Sequence, residues 1–244
     1  MTSIPTAGPP TAPAKSLPAR FLGILFAPRA TYAEVAARPR WLGIFLTVFL
    51  LSAAASVALL STEVGRNAVI DQQIASRESF GRPMTQAEID RVEQFAPYFV
   101  YITPAFQLLG LSAIGLVVAG VSFAVFNAML GGDATFKQVF AIVCHSGAVL
   151  AALSFFTTPL AYVRESLSSA TNLGVFLPFL DESSFLARML GSIDLIFIWW
   201  MLSLAIGLGV LYRKRTAPIA ITMLAVYAAI AVIIAAIKTV STGV

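Results

Sequence analysis

Five stretches of this chain, at 41 to 61, 100 to 130, 139 to 163, 189 to 212 and 217 to 238, are uncharged or nearly so. Each reaches the roughly twenty residues that a helix needs to cross bilayer hydrocarbon. No other feature limits the fold as strongly. Composition agrees: 58% of the 244 residues are hydrophobic and 11% are charged, where soluble proteins carry about a quarter charged. The fold class expected is therefore an all-α integral membrane protein, a compact bundle of about five transmembrane helices with an N-terminal interfacial helix, the alternative being four crossings with one run re-entrant or interfacial. The second stretch exceeds one crossing, and Pro97 and Pro104 at its outer end predict a kink or a projection beyond the bilayer. Small residues four apart, such as Gly115/Ala119, Gly147/Ala151, Ala205/Gly209 and Ala231/Ala235, permit close helix approach.

Ahead of the first span the chain divides in two. Residues 1–20 hold five prolines among small and polar residues and read as a disordered tail, not a secretory signal. Residues 21–40 read as a basic interfacial segment. Thr31 and Glu34 fit a capping box opening a short helix to about Arg38. Phe21, Leu22, Leu25, Phe26, Tyr32 and Val35 supply apolar anchors, while Arg20, Arg29, Arg38 and Arg40 suit anionic headgroups. With the N-terminus inside, the inner side carries nine Lys and Arg and the outer side seven, the latter spread over longer loops and diluted by nine carboxylates. That asymmetry predicts a cytoplasmic N-terminus and an outside C-terminus. The Arg213-Lys214-Arg215 turn is its sharpest single element. The outer loop, 62 to 97, contains a second capping box, Thr85 with Glu88, opening a charged helix that ends at Pro97.

Candidate chemistry is sparse. Asp194 within the fourth span, His145 in the third and Asn127 in the second are the candidate intramembrane polar residues, since an ionisable group in a span is costly and so points to function. His145 lies near the inner end of its span and Asp194 near the outer end of its own, roughly 15 to 20 Å apart in depth, which rules out a direct proton relay. A packing role predicts a hydrogen bond from His145 to Asn127 or Gln138, and an interfacial role has Asp194 reach outer water or Arg188. One Cys, Cys144, and one His allow neither a disulfide nor a Cys/His zinc cluster. No catalytic triad, phosphate loop or cofactor motif can be assembled; catalytic, cofactor and metal sites are all expected to be absent, and no nucleic-acid partner is indicated.

Three segments, LFAPRATYAEVAARPRW (25 to 41), MLGGDATFKQVFAIVCHSG (129 to 147) and WWMLSLAIGLGVLYRKRTAPIAITM (199 to 223), together resemble the Yip family of Ypt/Rab-interacting membrane proteins in its bacterial form. The likeness covers most of 20 to 240, and residues 41 to 240 form the Yip-like membrane domain. It departs early in the third span, where His145-Ser146 stand in place of the family's frequent Tyr-Ser and proline. The resemblance implies a multi-pass protein without enzymatic activity, with a link in eukaryotic relatives to Rab-type GTPases and membrane traffic. Twelve Arg against four Lys suit a bacterial source, hence the plasma membrane. The functional expectation is a membrane-organising or partner-recruiting scaffold. Its inner face would use Arg29, Tyr32, Arg38, Arg40, Lys137, Arg213, Lys214 and Arg215. Partners expected are the bilayer, with anionic lipids, an unidentified membrane or cytoplasmic protein, and a second copy of the chain. The alternative is a small ion or solute transporter that uses Asp194.

Overall fold

The computed structural model describes residues 15–181 and 183–242. Within them the chain is helical: α1 (Leu17–Phe26), α2 (Pro28–Ala37), α3 (Leu42–Leu60), α4 (Glu63–Ser79), α5 (Gln86–Phe95), α6 (Phe99–Phe123), α7 (Phe136–Val163), α8 (Phe185–Gly191), α9 (Leu195–Leu211) and α10 (Thr216–Thr242). The all-α membrane bundle is as expected. Four segments are long and apolar enough to cross a membrane: α3, the run from α5 through α6 to Met129, α7 and α10. The fourth expected span, 189 to 212, is shorter than its sequence limits. Its helix α9 has 17 residues, about 25 Å, because Asp194 caps it and α8 ends at Gly191.

Helix α7 is the axis of the bundle. Its first half, from Val139 to Ala151, is almost wholly buried among α3, α6, α9 and α1. A capping box starts it: Thr135 Oγ1 accepts from Gln138 N at 3.3 Å, and Gln138 Oε1 accepts from Thr135 N at 2.8 Å. Ahead of α7 the chain leaves α6 through a π-helical turn, Ala124–Met129, and Gly131 at φ +66°, a left-handed conformation that glycine adopts without steric cost. Helix α6 touches the bundle on one side only and turns Tyr101, Phe106, Leu109 and Val117 outward, as a lipid-facing helix should.

Expected and observed N-terminal organisation differ in detail. Residues 1–14 lie outside the described residues, but the tail assigned to 1–20 gives way to helix at Leu17, where Ser16 Oγ accepts from Ala19 N and Pro18 sits in the first turn. The interfacial segment is two helices, not one. Pro28 begins α2 three residues before Thr31, so Thr31 is no cap: its hydroxyl donates back to Ala27 O at 3.1 Å. Glu34 instead accepts from Lys15 N at 2.8 Å and ties the start of α1 to α2. The hairpin docks on α7 and α9 with Ile24, Tyr32 and Val35 buried, while Leu22 and Phe26 face outward. Gly23 is required here, since a Cβ would collide with Thr31 Oγ1.

At the other end of the bundle, the 62 to 97 segment holds α4 as well as the expected α5. The Thr85–Glu88 capping box forms as read from the sequence, with Glu88 Oε2 accepting from Thr85 N at 2.9 Å.

Candidate functional site

Most of the basic residues collect at one end of the bundle, formed by the α1–α2 hairpin, the α6–α7 turn and the α9–α10 turn. Three connections hold these parts together. Gln138 Nε2 donates to Ala36 O at 2.9 Å, joining α7 to α2. Asn127 donates to Ala134 O at 2.6 Å and accepts from Tyr212 Oη at 2.6 Å. Phe126 stacks on Tyr212 with centroids 4.6 Å apart. Asn127 is thus a structural clasp between the α6–α7 turn and the end of α9, not an open intramembrane polar site.

The docking of the hairpin rests on Tyr32. Its side chain is fully buried, its hydroxyl lies 2.7 Å from Ser203 Oγ in α9, and its ring lies against Gly207. A Cβ at position 207 would sit 3.0 Å from two Tyr32 ring atoms and 2.5 Å from Ile142 Cγ2. Burial raises the Tyr32 phenol above its ordinary pKa, only partly countered by Ser203. Tyr32 was expected on the interaction face; the structure corrects this, because an aromatic ring beside a glycine on the neighbouring helix becomes core.

Docking brings Arg29, at the start of α2, to the α9–α10 turn, where its guanidinium donates to Thr216 Oγ1 at 3.3 Å. Arg29, Arg213, Lys214, Arg215, Thr216 and Ala217 then line one open basin. The four cations are exposed and, among the described residues, none pairs with a carboxylate. Arg213 has φ +53°. It stands where helices usually end on glycine: Lys214 N donates to Gly209 O at 2.9 Å and Arg213 N to Val210 O at 3.4 Å, the paired bonds of a Schellman terminus. An arginine at this left-handed position costs about 1 kcal/mol or more relative to glycine. Nothing in the spacing of residues 213–215 announces it, although a helix ending without glycine is a signal that could have been read.

The other candidates fall elsewhere. Arg38 and Arg40 stand with Arg20 and Glu34 around a separate cleft, and Lys137 is exposed on the first turn of α7 outside both groups. The basic residues therefore form two clusters, not one stripe. His145 meets neither Asn127 nor Gln138, whose polar atoms are engaged with the turn and the caps; its Nδ1 donates to Ala141 O at 2.7 Å within its own helix. Its Nε2 is buried without a hydrogen-bond partner among the described residues.

Asp194 does not sit inside a helix: it is the N-cap of α9, accepting from Ile196 N at 2.7 Å, from Thr171 Oγ1 at 3.0 Å and from Ser169 Oγ. Backbone bonds from Leu173 N to Ile193 O and from Leu195 N to Thr171 O complete the staple, and Tyr227 Oη accepts from Asp194 N at 2.9 Å. A half-buried carboxylate accepting three hydrogen bonds at a helix start has a sufficient structural role.

Among curated proteins and among solved structures, none matches this chain. The family model described as the Yip1 domain matches residues 22–237, a range that begins inside α1 and takes in the docked hairpin, every membrane-crossing helix and the basic turn. A match over that much of the sequence, on a bundle built as described, places this multi-pass integral membrane protein in the Yip family.

Proposed function

We propose that the protein is a non-enzymatic membrane scaffold that recruits an acidic segment of a partner protein to the basic end of its bundle, with that end facing the cytoplasm. The observation that carries the reading is the basin: four cations drawn from two elements far apart in sequence, held in one open concavity without a carboxylate among the described residues. Cations kept together without counter-charge repel one another and attract a polyanionic ligand. A broad, solvent-open basin suits a chain segment better than a small metabolite, which needs an enclosed pocket. Orientation follows from the same residues, since the cations that favour the cytoplasm converge at the end that carries α1 and α2. Anionic lipids of the surrounding leaflet would add to the attraction. A link to membrane traffic or a GTPase, which the family's eukaryotic members suggest, is one identity for the partner.

The test is photo-crosslinking in native membranes from a photoreactive residue at Ala217, an uncharged, exposed wall of the basin. A discrete protein adduct is expected, and it should vanish when Arg29, Lys214 and Arg215 are all replaced by Gln. Adducts to lipid alone, or a protein adduct indifferent to the substitutions, would refute recruitment through the basin.

A further inference from the structure

The second basic cluster has features that the basin lacks. Arg20 points from α1 into a cleft that it lines with Glu34 and Val35 of α2 and with Arg38 and Arg40 beyond the helix end. It is only 9% exposed, and its Nε is buried without a hydrogen-bond partner among the described residues. Glu34 does not neutralise it: its Oε1 is used by the backbone N of Lys15, and no carboxylate lies within ion-pair distance of the three arginines among the described residues. Residues 1–14 contain no Asp or Glu, so that stretch of chain has no carboxylate to supply.

A buried guanidinium with an unmet donor is an expensive arrangement unless something meets it. Three arginines line one cleft, whose interior has room for about one water molecule, so a larger ligand of their planar N–H forks sits at its mouth. A carboxylate has two oxygens and is saturated by one fork, whereas a phosphate group has enough oxygens to bridge several. We propose that the mouth of the cleft between α1, α2 and the 38–40 linker binds a single phosphate group, with Arg20 behind it as the buried cation and Arg38 and Arg40 closing over it from the exposed side. This site is separate from the basin and does not depend on what the basin recruits. At the membrane-entry end of α3 both a phosphorylated lipid headgroup and free phosphate can supply the group.

The experiment uses the full-length protein in a neutral detergent, with thermal unfolding followed by Trp fluorescence at constant ionic strength. One arm titrates inorganic phosphate against chloride; the other titrates short-chain phosphatidate against short-chain phosphatidylcholine. A saturable rise of the midpoint is expected. Response to both probes identifies a site open to free phosphate, and response to phosphatidate alone identifies a lipid headgroup site. Arg38 and Arg40 are exposed, so the R38Q/R40Q variant keeps the fold and should weaken the fitted affinity by about tenfold or more. The basin variant K214Q/R215Q should bind like the parent. No saturable shift with either probe, an affinity unchanged in R38Q/R40Q, or a loss in the basin variant would each overturn the assignment.

Discussion

The buried pair between Tyr32 and Ser203 can be separated into its parts by a double-mutant cycle. The two hydroxyls lie 2.7 Å apart, and both residues are buried, Ser203 at 3% exposure. Removing either partner strands the other, at about 1–3 kcal/mol for an unsatisfied buried group. The two losses are unequal. In Tyr32→Phe, the Ser203 hydroxyl can turn back to the carbonyl four residues earlier in α9, as serines in helices do, so the cost should sit near 1 kcal/mol. In Ser203→Ala, the Tyr32 hydroxyl has no other partner among the described residues, and the cost should approach about 2 kcal/mol. With both groups gone nothing is stranded, so the double variant should cost less than the sum by about 0.6 to 1.7 kcal/mol, the range for hydrogen bonds between helices in membrane bundles. The assay is reversible unfolding of the detergent-solubilised protein in a denaturing-detergent titration, with Trp200 close enough to α7 to report on the packing. Strict additivity, or a larger loss in Tyr32→Phe than in Ser203→Ala, would refute this description of hairpin docking.

Further variants at three positions address single features. Gly207→Ala places a methyl 2.5 Å from Ile142 Cγ2 and 3.0 Å from the Tyr32 ring; overpacking of about 1–3 kcal/mol should exceed the helix-propensity gain of about 1 kcal/mol, and proteolysis should release the hairpin before the bundle unfolds. Arg213→Gly relieves the left-handed strain at φ +53° and should leave stability equal or raise it by up to about 1 kcal/mol in the same unfolding titration, while reducing the Ala217 crosslink. Asp194→Ala should cost about 1–2 kcal/mol through the lost cap and the freed 169–173 segment, with Asp194→Asn costing less because asparagine caps almost as well. The Tyr32 contribution to stability should stay constant as pH rises until the unfolded phenol titrates near pH 10 and then fall, because the folded Tyr32 holds its proton to higher pH than the unfolded one; Tyr32→Phe should remove that part of the decline.

Hydropathy located four of the five expected spans as long apolar helices because burial in lipid leaves a continuous apolar record, and capping chemistry located α5 because Thr85 and Glu88 act within one turn. The same reasoning failed at Thr31 and Glu34, which have the right spacing but lie inside a helix that Pro28 starts earlier. Asp194 was misplaced for a related reason: a window average cannot tell a carboxylate inside an apolar run from one that begins it, and only the Ser169 and Thr171 partners, more than twenty residues away, decide the matter. The candidate site was legible as charge but not as geometry. Composition groups Arg29 with Arg38 and Arg40, nine and eleven positions on, yet the docked helix sends Arg29 to a turn 187 residues away at Thr216. Tyr32 reads as an interfacial anchor until Gly207 is seen to leave room for its ring.

That long-range contact gives the basin a property no single element has. Arg29 belongs to the hairpin and the other three cations to the α9–α10 turn, so the basin exists only while the hairpin is docked through Tyr32, Ser203 and Gly207. Any ligand that bridges the two halves must therefore stabilise docking by the same factor by which docking raises its affinity. Loosening the hairpin at Gly207 should weaken recruitment without touching a charge, and a bound polyanion should protect the hairpin from proteolysis in return. The Arg20 cleft contrasts with this: the side chains that line it come from the hairpin and the linker that follows it, so phosphate binding there should survive in Gly207→Ala to the extent that α1 and α2 stay paired. Measured on one variant, loss of the Ala217 crosslink with retention of the phosphate response would separate the two sites by their dependence on docking.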